Sequence, residues 1–200
     1  MTIIEFQYSW DSESEKKISD NCIPNAVIIP ETAIIRRGIP FFIPGWGTDW
    51  QAKIYIGTKI TKLGKSIPSR FACRYKGESF LGVQFFDNGA GIKTTAQRVL
   101  FGFDNSLMIS QTVDFTKPIE IKTGTIGHNA KLIKSRKEII IQDNGPLMDL
   151  CIANASQFFT LHTGDIILGG FIKQELFKVE QETRVIFSQD SNIILDHKIK

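Results

Sequence analysis

What this 200-residue chain has little of narrows its chemistry first. It has three cysteines, Cys22, Cys73 and Cys151, widely separated and with no Cys-x-x-Cys pair. That spacing points to neither a disulfide framework nor a zinc site, and all three read as buried reduced thiols. It has three histidines, His128, His162 and His197, equally scattered. No Ser-His-Asp or Cys-His arrangement can be argued from them, and each reads as a surface residue. No apolar run reaches the roughly 20 residues that span a bilayer. The opening "MTIIEFQYSW" lacks a basic segment ahead of a long apolar core, so no signal peptide is expected and the expected location is cytoplasmic. Excess charge is also scarce. The net value of +3 is too small to predict a nucleic-acid or acidic-membrane partner. The densest basic group, "KLIKSRK" at 131–137, has no interleaved aromatic residue for base stacking and reads as a solvated strand-turn face.

What is present is an ordinary globular balance, 42% hydrophobic and 22% charged. The length suits one domain that buries roughly 65–75% of its surface. Strands dominate. The stretch "TDWQAKIYIGTKI" at 48–60 puts Trp50, Ala52, Ile54, Ile56 and Ile60 on one side and Gln51, Lys53, Tyr55 and Lys59 on the other, the period of a half-buried strand. "FLGVQFF" at 80–86, "SLMISQTVDF" at 106–115, "IEIKTGTIG" at 119–127, "EIIIQD" at 138–143, "GDIILGGF" at 164–171 and "TRVIFSQDSNIILDHKI" at 183–199 continue the β pattern. "IPFFIPGW" at 39–46 carries two prolines, which suits an edge or lead-in strand. Two stretches read as helical. "IPSRFACRYKGESF" at 67–80 has Ile67, Phe71 and Tyr75 at helical spacing, and "GPLMDLCIANASQFFTL" at 145–161 aligns Leu147, Leu150, Cys151, Ala155 and Phe158 on one face. Asp87–Asn88–Gly89 and Asp104–Asn105 are turn formers.

"ASQFFTLHTGDIILGG" at 155–170 resembles the C-terminal signature of the fumarylacetoacetate hydrolase family, a helix running into a Thr-Leu-x-x-Gly-Asp turn and a strand. Thr160, Leu161, Gly164 and Asp165 stand in those positions. The physics of the turn agrees: glycine accepts a positive φ, and an aspartate bonds backbone amides at the strand start. Upstream, "PETAIIRRGIPFFIPGW" at 30–46 and "FGFDNSLMIS" at 101–110 are similar to two further family segments, and "NIILDHKIK" at 192–200 to its closing strand. The similarity runs in consistent order over residues 24–200, leaving 1–23 as a divergent N-terminal segment or lid remnant. It implies a mainly β, α+β fold: a fumarylacetoacetate-hydrolase-like mixed β-roll with a few short helices, assembled as a homodimer. The 15 phenylalanines are in keeping with an apolar interface.

The resemblance also implies an activity, the Mg²⁺- or Mn²⁺-dependent cleavage, decarboxylation or tautomerisation of small oxo-acids. Two glutamates on one strand face and an aspartate would hold the metal, because a hard cation needs hard oxygen ligands. Here the glutamate positions fall on Lys53 and Tyr55, the aspartate on Gln84 and a proton-handling lysine on Phe101. The terminal Thr-Pro falls on Phe171 and Ile172, and no histidine in residues 1–40 matches the lid's His-Glu pair. The expectation is therefore a family-like fold without the metal and without the family's catalytic residues, a pseudoenzyme with a binding or interaction role. Lys53, Tyr55, Gln84 and Phe101 would line a vestigial pocket. There Lys53 either replaces part of the metal's charge and takes a small carboxylate or other anion, or reaches out to solvent. Two alternatives stay open: an active enzyme on a small oxo-acid through a rebuilt site, and a non-catalytic subunit that pairs with an active paralogue.

Overall fold

The computed structural model describes residues 1–7, 26–89, 102–125, 135–139, 145–172 and 177–200. In chain order these form β1 (Ile3–Phe6), β2 (Ala26–Ile29), a 3-10 turn at Glu31–Ala33, β3 (Trp50–Ile60), α1 (Ser69–Ala72), β4 (Lys76–Asp87), β5 (Leu107–Thr112), β6 (Ile119–Thr125), β7 (Ser135–Ile139), α2 (Gly145–Phe158), β8 (Ile166–Phe171), β9 (Phe177–Lys178), β10 (Thr183–Gln189) and β11 (Asn192–Ile199). The strands make a mixed sheet in the order β2-β1-β8-β3-β4-β5, with β9 added to β3, and an antiparallel sheet in the order β11-β10-β6-β7. The fold is thus the mainly β, α+β architecture expected.

Strand alternation sorts the larger sheet's residues onto two faces. Ile4, Ile54, Ile56, Leu81, Val83, Phe85 and Ile167 point into the main core, which they share with Met148, Cys151, Ile152 and Ala155 of α2 and with Ile121, Val185, Phe187 and Leu195 of the smaller sheet. Ile3, Tyr55, Phe80, Leu107 and Leu168 form a second buried cluster on the opposite face. An aromatic joint bridges to the smaller sheet. Phe41, bonded to the end of β11 through the Lys198 and Lys200 backbones, stacks on Phe85 at 3.8 Å between ring centroids. Trp50 meets Phe41, Trp46 and Phe103 edge-on at 6.0, 4.7 and 5.6 Å.

The helix α2 starts where expected, with Pro146 in a first turn that needs no amide donor from it. Its buried face is carried by Leu147, Met148, Cys151, Ile152 and Ala155, whereas Phe158, predicted on that face, is 58% exposed because the helix ends there. The expected helix over 67–80 shrinks to the single turn α1. From Lys76 the chain joins β4, whose long ladder with β3 offers more hydrogen bonds than a short helix could. Cys73 is exposed rather than buried, while Cys151 is buried as expected; Cys22 lies outside the described residues. His197 is 8% exposed, not a surface residue, because its strand β11 lies between β10 and the Phe41 segment. His162 is exposed, and His128 lies outside the described residues, as do residues 131–134 of the basic stretch.

The turn after α2 behaves as its sequence demands. Gly164 has φ +91°, and Asp165, 3% exposed, takes the amide of Thr2 on Oδ1 at 2.7 Å and the amide of His162 on Oδ2 at 2.8 Å. The backbone of Asp165 accepts from Ile60 at 2.7 Å, so the turn ties the start of β1 to the end of β3. Asp165→Ala removes both charge-assisted bonds and strands two amides. The expected loss is about 2–4 kcal/mol of unfolding free energy in a urea titration; an unchanged midpoint would show that the turn holds without this carboxylate.

Candidate functional site

Glu5 sits in the middle of β1, an interior strand flanked by β2 and β8, opposite Val27 and Leu168 respectively. By alternation it shares the face of Ile3, the face that also carries Tyr55. On β3, Lys53 and Tyr55 are two residues apart and so point the same way, and Gln84 of β4 stands directly opposite Lys53 in the ladder. The sheet therefore gathers Glu5, Lys53, Tyr55 and Gln84 into one polar group. Glu5 and Tyr55 have no solvent contact and Gln84 is 1% exposed, while Lys53 and Gln7 are partly exposed. Three of the four sequence-predicted pocket residues are thus brought together. The fourth, Phe101, lies outside the described residues.

The group is bonded at its centre. The Tyr55 hydroxyl donates to Glu5 Oε1 at 2.6 Å, and Gln7 Nε2 reaches the same oxygen at 3.5 Å. Glu5 Oε2 is buried, and the Gln84 side chain also lies within hydrogen-bonding reach of the Glu5 carboxyl. Lys53 Nζ lies 4.5 Å from the centroid of the Phe86 ring, a cation–π contact. Burial pushes the Glu5 carboxyl up to about 7, against the opposing pull of the Tyr55 hydroxyl and the Lys53 charge. Burial lowers Lys53, and the Glu5 carboxylate acts in the other direction. Tyr55 is raised, first by burial and then by the neighbouring carboxylate, so it stays a neutral donor.

Glu5 is the residue that the motif reading missed. The signal was a single acid inside the apolar run "IIEF", since an acid in a strand with interior character is rarely left there without a partner. The other acids near β3 are structural. Asp87 Oδ1 accepts the amides of Thr48, Asp49 and Gly89 at 3.1, 2.8 and 3.1 Å, and Asp49 Oδ2 accepts from the side chains of Gln51 and Asn88. Asn105 has φ +57°, as a turn residue can.

A divalent cation of the Mg²⁺ or Mn²⁺ type does not fit this donor set. Such ions take several hard oxygens, with at least one ionised carboxylate free to face them. The group offers one carboxyl, already engaged by Tyr55 on one oxygen, together with an ammonium that repels a metal. Among the described residues, no three His, Cys, Asp or Glu side chains are placed to share an ion.

The raised carboxyl makes a stability prediction. A group whose pKa is higher in the folded than in the unfolded state stabilises fully below its unfolded value, 4.5, and that contribution fades as pH rises through about 7. Glu5→Gln mimics the protonated form. Its unfolding free energy is expected to match wild type near the lower value and to exceed it by roughly 3 kcal/mol above the upper one. Chemical denaturation of both proteins across that range checks this, and coincident curves would mean that Glu5 ionises in the fold as it does in water.

No protein-family model matches the sequence, and no curated protein matches it. Solved structures do match by shape. A protein from Yersinia pestis assigned to the fumarylacetoacetate hydrolase family superimposes with a TM-score of 0.71 at 18% identity, over 100% of this chain and 93% of that one. Fumarylpyruvate hydrolase from Pseudomonas aeruginosa, solved with Mn²⁺ and pyruvate, gives 0.69 at 15% identity over 99% and 88%. The 5-carboxymethyl-2-hydroxymuconate delta-isomerase from Mycobacterium smegmatis gives 0.71 at 18% identity over 99% and 76%. This chain has the fold of the fumarylacetoacetate hydrolase family.

Proposed function

We propose that this is a divergent fumarylacetoacetate hydrolase family protein that binds a small carboxylate or related anion at Lys53 and has given up the metal-dependent chemistry. The observation that carries the reading is the make-up of the polar group: Lys53 supplies a partly buried positive charge, and Tyr55 and Gln84 stand beside it on the same sheet face. A desolvated ammonium attracts an anion more strongly than one in water does. One charge-assisted contact contributes roughly 1.5–3 kcal/mol, so affinity is expected to be weak, on the order of ten millimolar or weaker. A cytoplasmic homodimer belongs to the same reading.

A second reading draws on Glu5. A buried carboxyl poised near neutrality, beside a phenol and an ammonium, is the kind of group that moves protons in catalysis. It would make the chain an enzyme on a small oxo-acid through a rebuilt, metal-free site. Turnover of such an acid by wild type, lost in Glu5→Gln and unaffected by a chelator, would favour this reading over simple binding.

Two measurements test the proposal. Isothermal titration of the pure protein with MgCl₂ or MnCl₂ is expected to give no binding heat; a stoichiometric site of micromolar affinity would sink the pseudoenzyme reading. Titration with small dicarboxylates and oxo-acids is expected to show binding to wild type and its loss in Lys53→Ala. Equal binding by both proteins, or by neither, would remove Lys53 as the anion-holding charge.

A further inference from the structure

The net charge of +3 conceals where the charges lie. Residues 50–77 and 150–164 contain no Asp or Glu, and the fold lays parts of these two stretches side by side. Gly64 and Leu161 exchange backbone hydrogen bonds at 3.0 and 2.8 Å, and the Ser66 amide donates to the Ser156 carbonyl at 2.8 Å. The Thr61 amide donates to the Tyr75 carbonyl at 2.9 Å, which brings the end of the α1 turn back beside the loop. Lys62, Lys65, Arg70 and Arg74 on these segments are all exposed, and among the described residues none of them has a carboxylate partner. The Arg70 and Arg74 guanidinium groups each lie 4.8 Å from the centroid of the Phe71 ring. Asp149 and Asp165, which bracket the second stretch, are engaged elsewhere: one pairs with Lys76 at 3.7 Å, the other holds the Thr2 and His162 amides. Without these four cations the chain's 24 basic residues fall to 20 against 21 acids, so the cluster carries the whole positive excess. Apolar side chains stand among the charges. Leu63, between the two lysines, is 66% exposed, more than any other large apolar side chain among the described residues, and Phe158 at the end of α2 is 58% exposed.

We propose that this surface docks the protein on an anionic lipid bilayer, with Lys62, Lys65, Arg70 and Arg74 against the headgroup charges and Leu63 and Phe158 pressed into the edge of the hydrocarbon. It is independent of the polar group around Glu5 and of any anion held at Lys53. Four like charges on neighbouring segments repel one another, and a negatively charged surface relieves that repulsion. Each Lys or Arg close to such a surface raises partitioning about fivefold, an effect that falls off within a Debye length. The apolar pair sets the class of partner. A second copy of this chain, docked through the same surface across a two-fold axis, would set cation against cation. A nucleic acid answers the charges but gives Leu63 nothing to bury against, and the Phe71 ring that could stack on a base already carries two guanidinium groups. An acidic protein would need a socket shaped for each apolar side chain, whereas a bilayer supplies hydrocarbon wherever they fall. Net charge alone predicts no such partner because it averages this cluster with an otherwise nearly neutral chain.

Vesicle co-sedimentation tests this directly. Wild type is expected to bind phosphatidylcholine vesicles containing about 30% phosphatidylserine and not to bind phosphatidylcholine alone. Raising the salt from about 0.1 to 1 M, which shortens the Debye length from about 10 to 3 Å, should release it. The double variant Lys62→Ala, Lys65→Ala should partition about 25-fold more weakly. Leu63→Ser, which leaves the charge unchanged, should weaken partitioning about tenfold. Lys198→Ala, which removes an exposed charge on β11, should bind as wild type does. The substituted side chains are exposed, and the comparison of the two vesicle compositions with wild type needs no variant at all. Binding to neither vesicle, or equal binding to both, overturns the proposal. Undiminished binding by Leu63→Ser also overturns it, since the contact would then be one of charge alone. Binding of a single-stranded oligonucleotide or a polyglutamate peptide, without binding to vesicles, overturns it in favour of that class of partner.

Discussion

The rest of the structure depends on β3 being hydrogen-bonded on both edges. It pairs with β4 along one side and with β8 and β9 along the other, which leaves its side chains no direction except the two faces of the sheet. Each face is covered, so consecutive residues such as Ile54 and Tyr55 are both buried, in different clusters. A polar side chain in the covered middle of such a strand must find its partner within the sheet face, and Tyr55 finds Glu5 across the intervening β8. The polar group is thus a product of sheet topology rather than of any local motif.

That topology also explains why an acid is tolerated in β1. A charged carboxylate with no solvent contact would be prohibitive unless paired. Near neutrality the protonated form lowers the cost, the Tyr55 hydroxyl satisfies one oxygen, and the ammonium of Lys53 offsets what charge remains. His197 in the smaller sheet shows the opposite trend. Burial lowers its pKa, so its neutral form is the one that fits the fold. The two sheets therefore respond to acid in opposite senses, one interior group favouring the proton and the other rejecting it.

The sequence made the architecture readable where a local rule acts alone. The alternation of 49–60 became β3, the Thr-Leu-x-x-Gly-Asp turn took its positive φ at Gly164 and its amide bonds at Asp165, and the apolar periodicity of 145–161 became α2. It misled where long-range pairing outweighs local pattern. The helical spacing of Ile67, Phe71 and Tyr75 lost to the ladder between β3 and β4, and the expected wet face of β3 holds at Lys59 but is interior at Tyr55. Lys53, Tyr55 and Gln84 could be grouped because the family resemblance puts its ligand positions on them, and the ladder of β3 and β4 brings them together. Glu5 could not, since nothing in residues 1–7 says that β1 slots between β2 and β8, about fifty positions away in sequence from its partner Tyr55.

The aromatic joint between the sheets carries an optical consequence. Trp50 is 5% exposed and wedged edge-on among Phe41, Trp46 and Phe103, while Trp46 itself is 45% exposed. Two indoles in contact, one dry and one wet, make a natural pair for energy transfer, and the dry one emits further to the blue. Phe41 holds that contact from the last residues of β11. The emission of this pair, as distinct from that of Trp10 outside the described residues, therefore reports whether the smaller sheet is seated on the larger one, with no label attached.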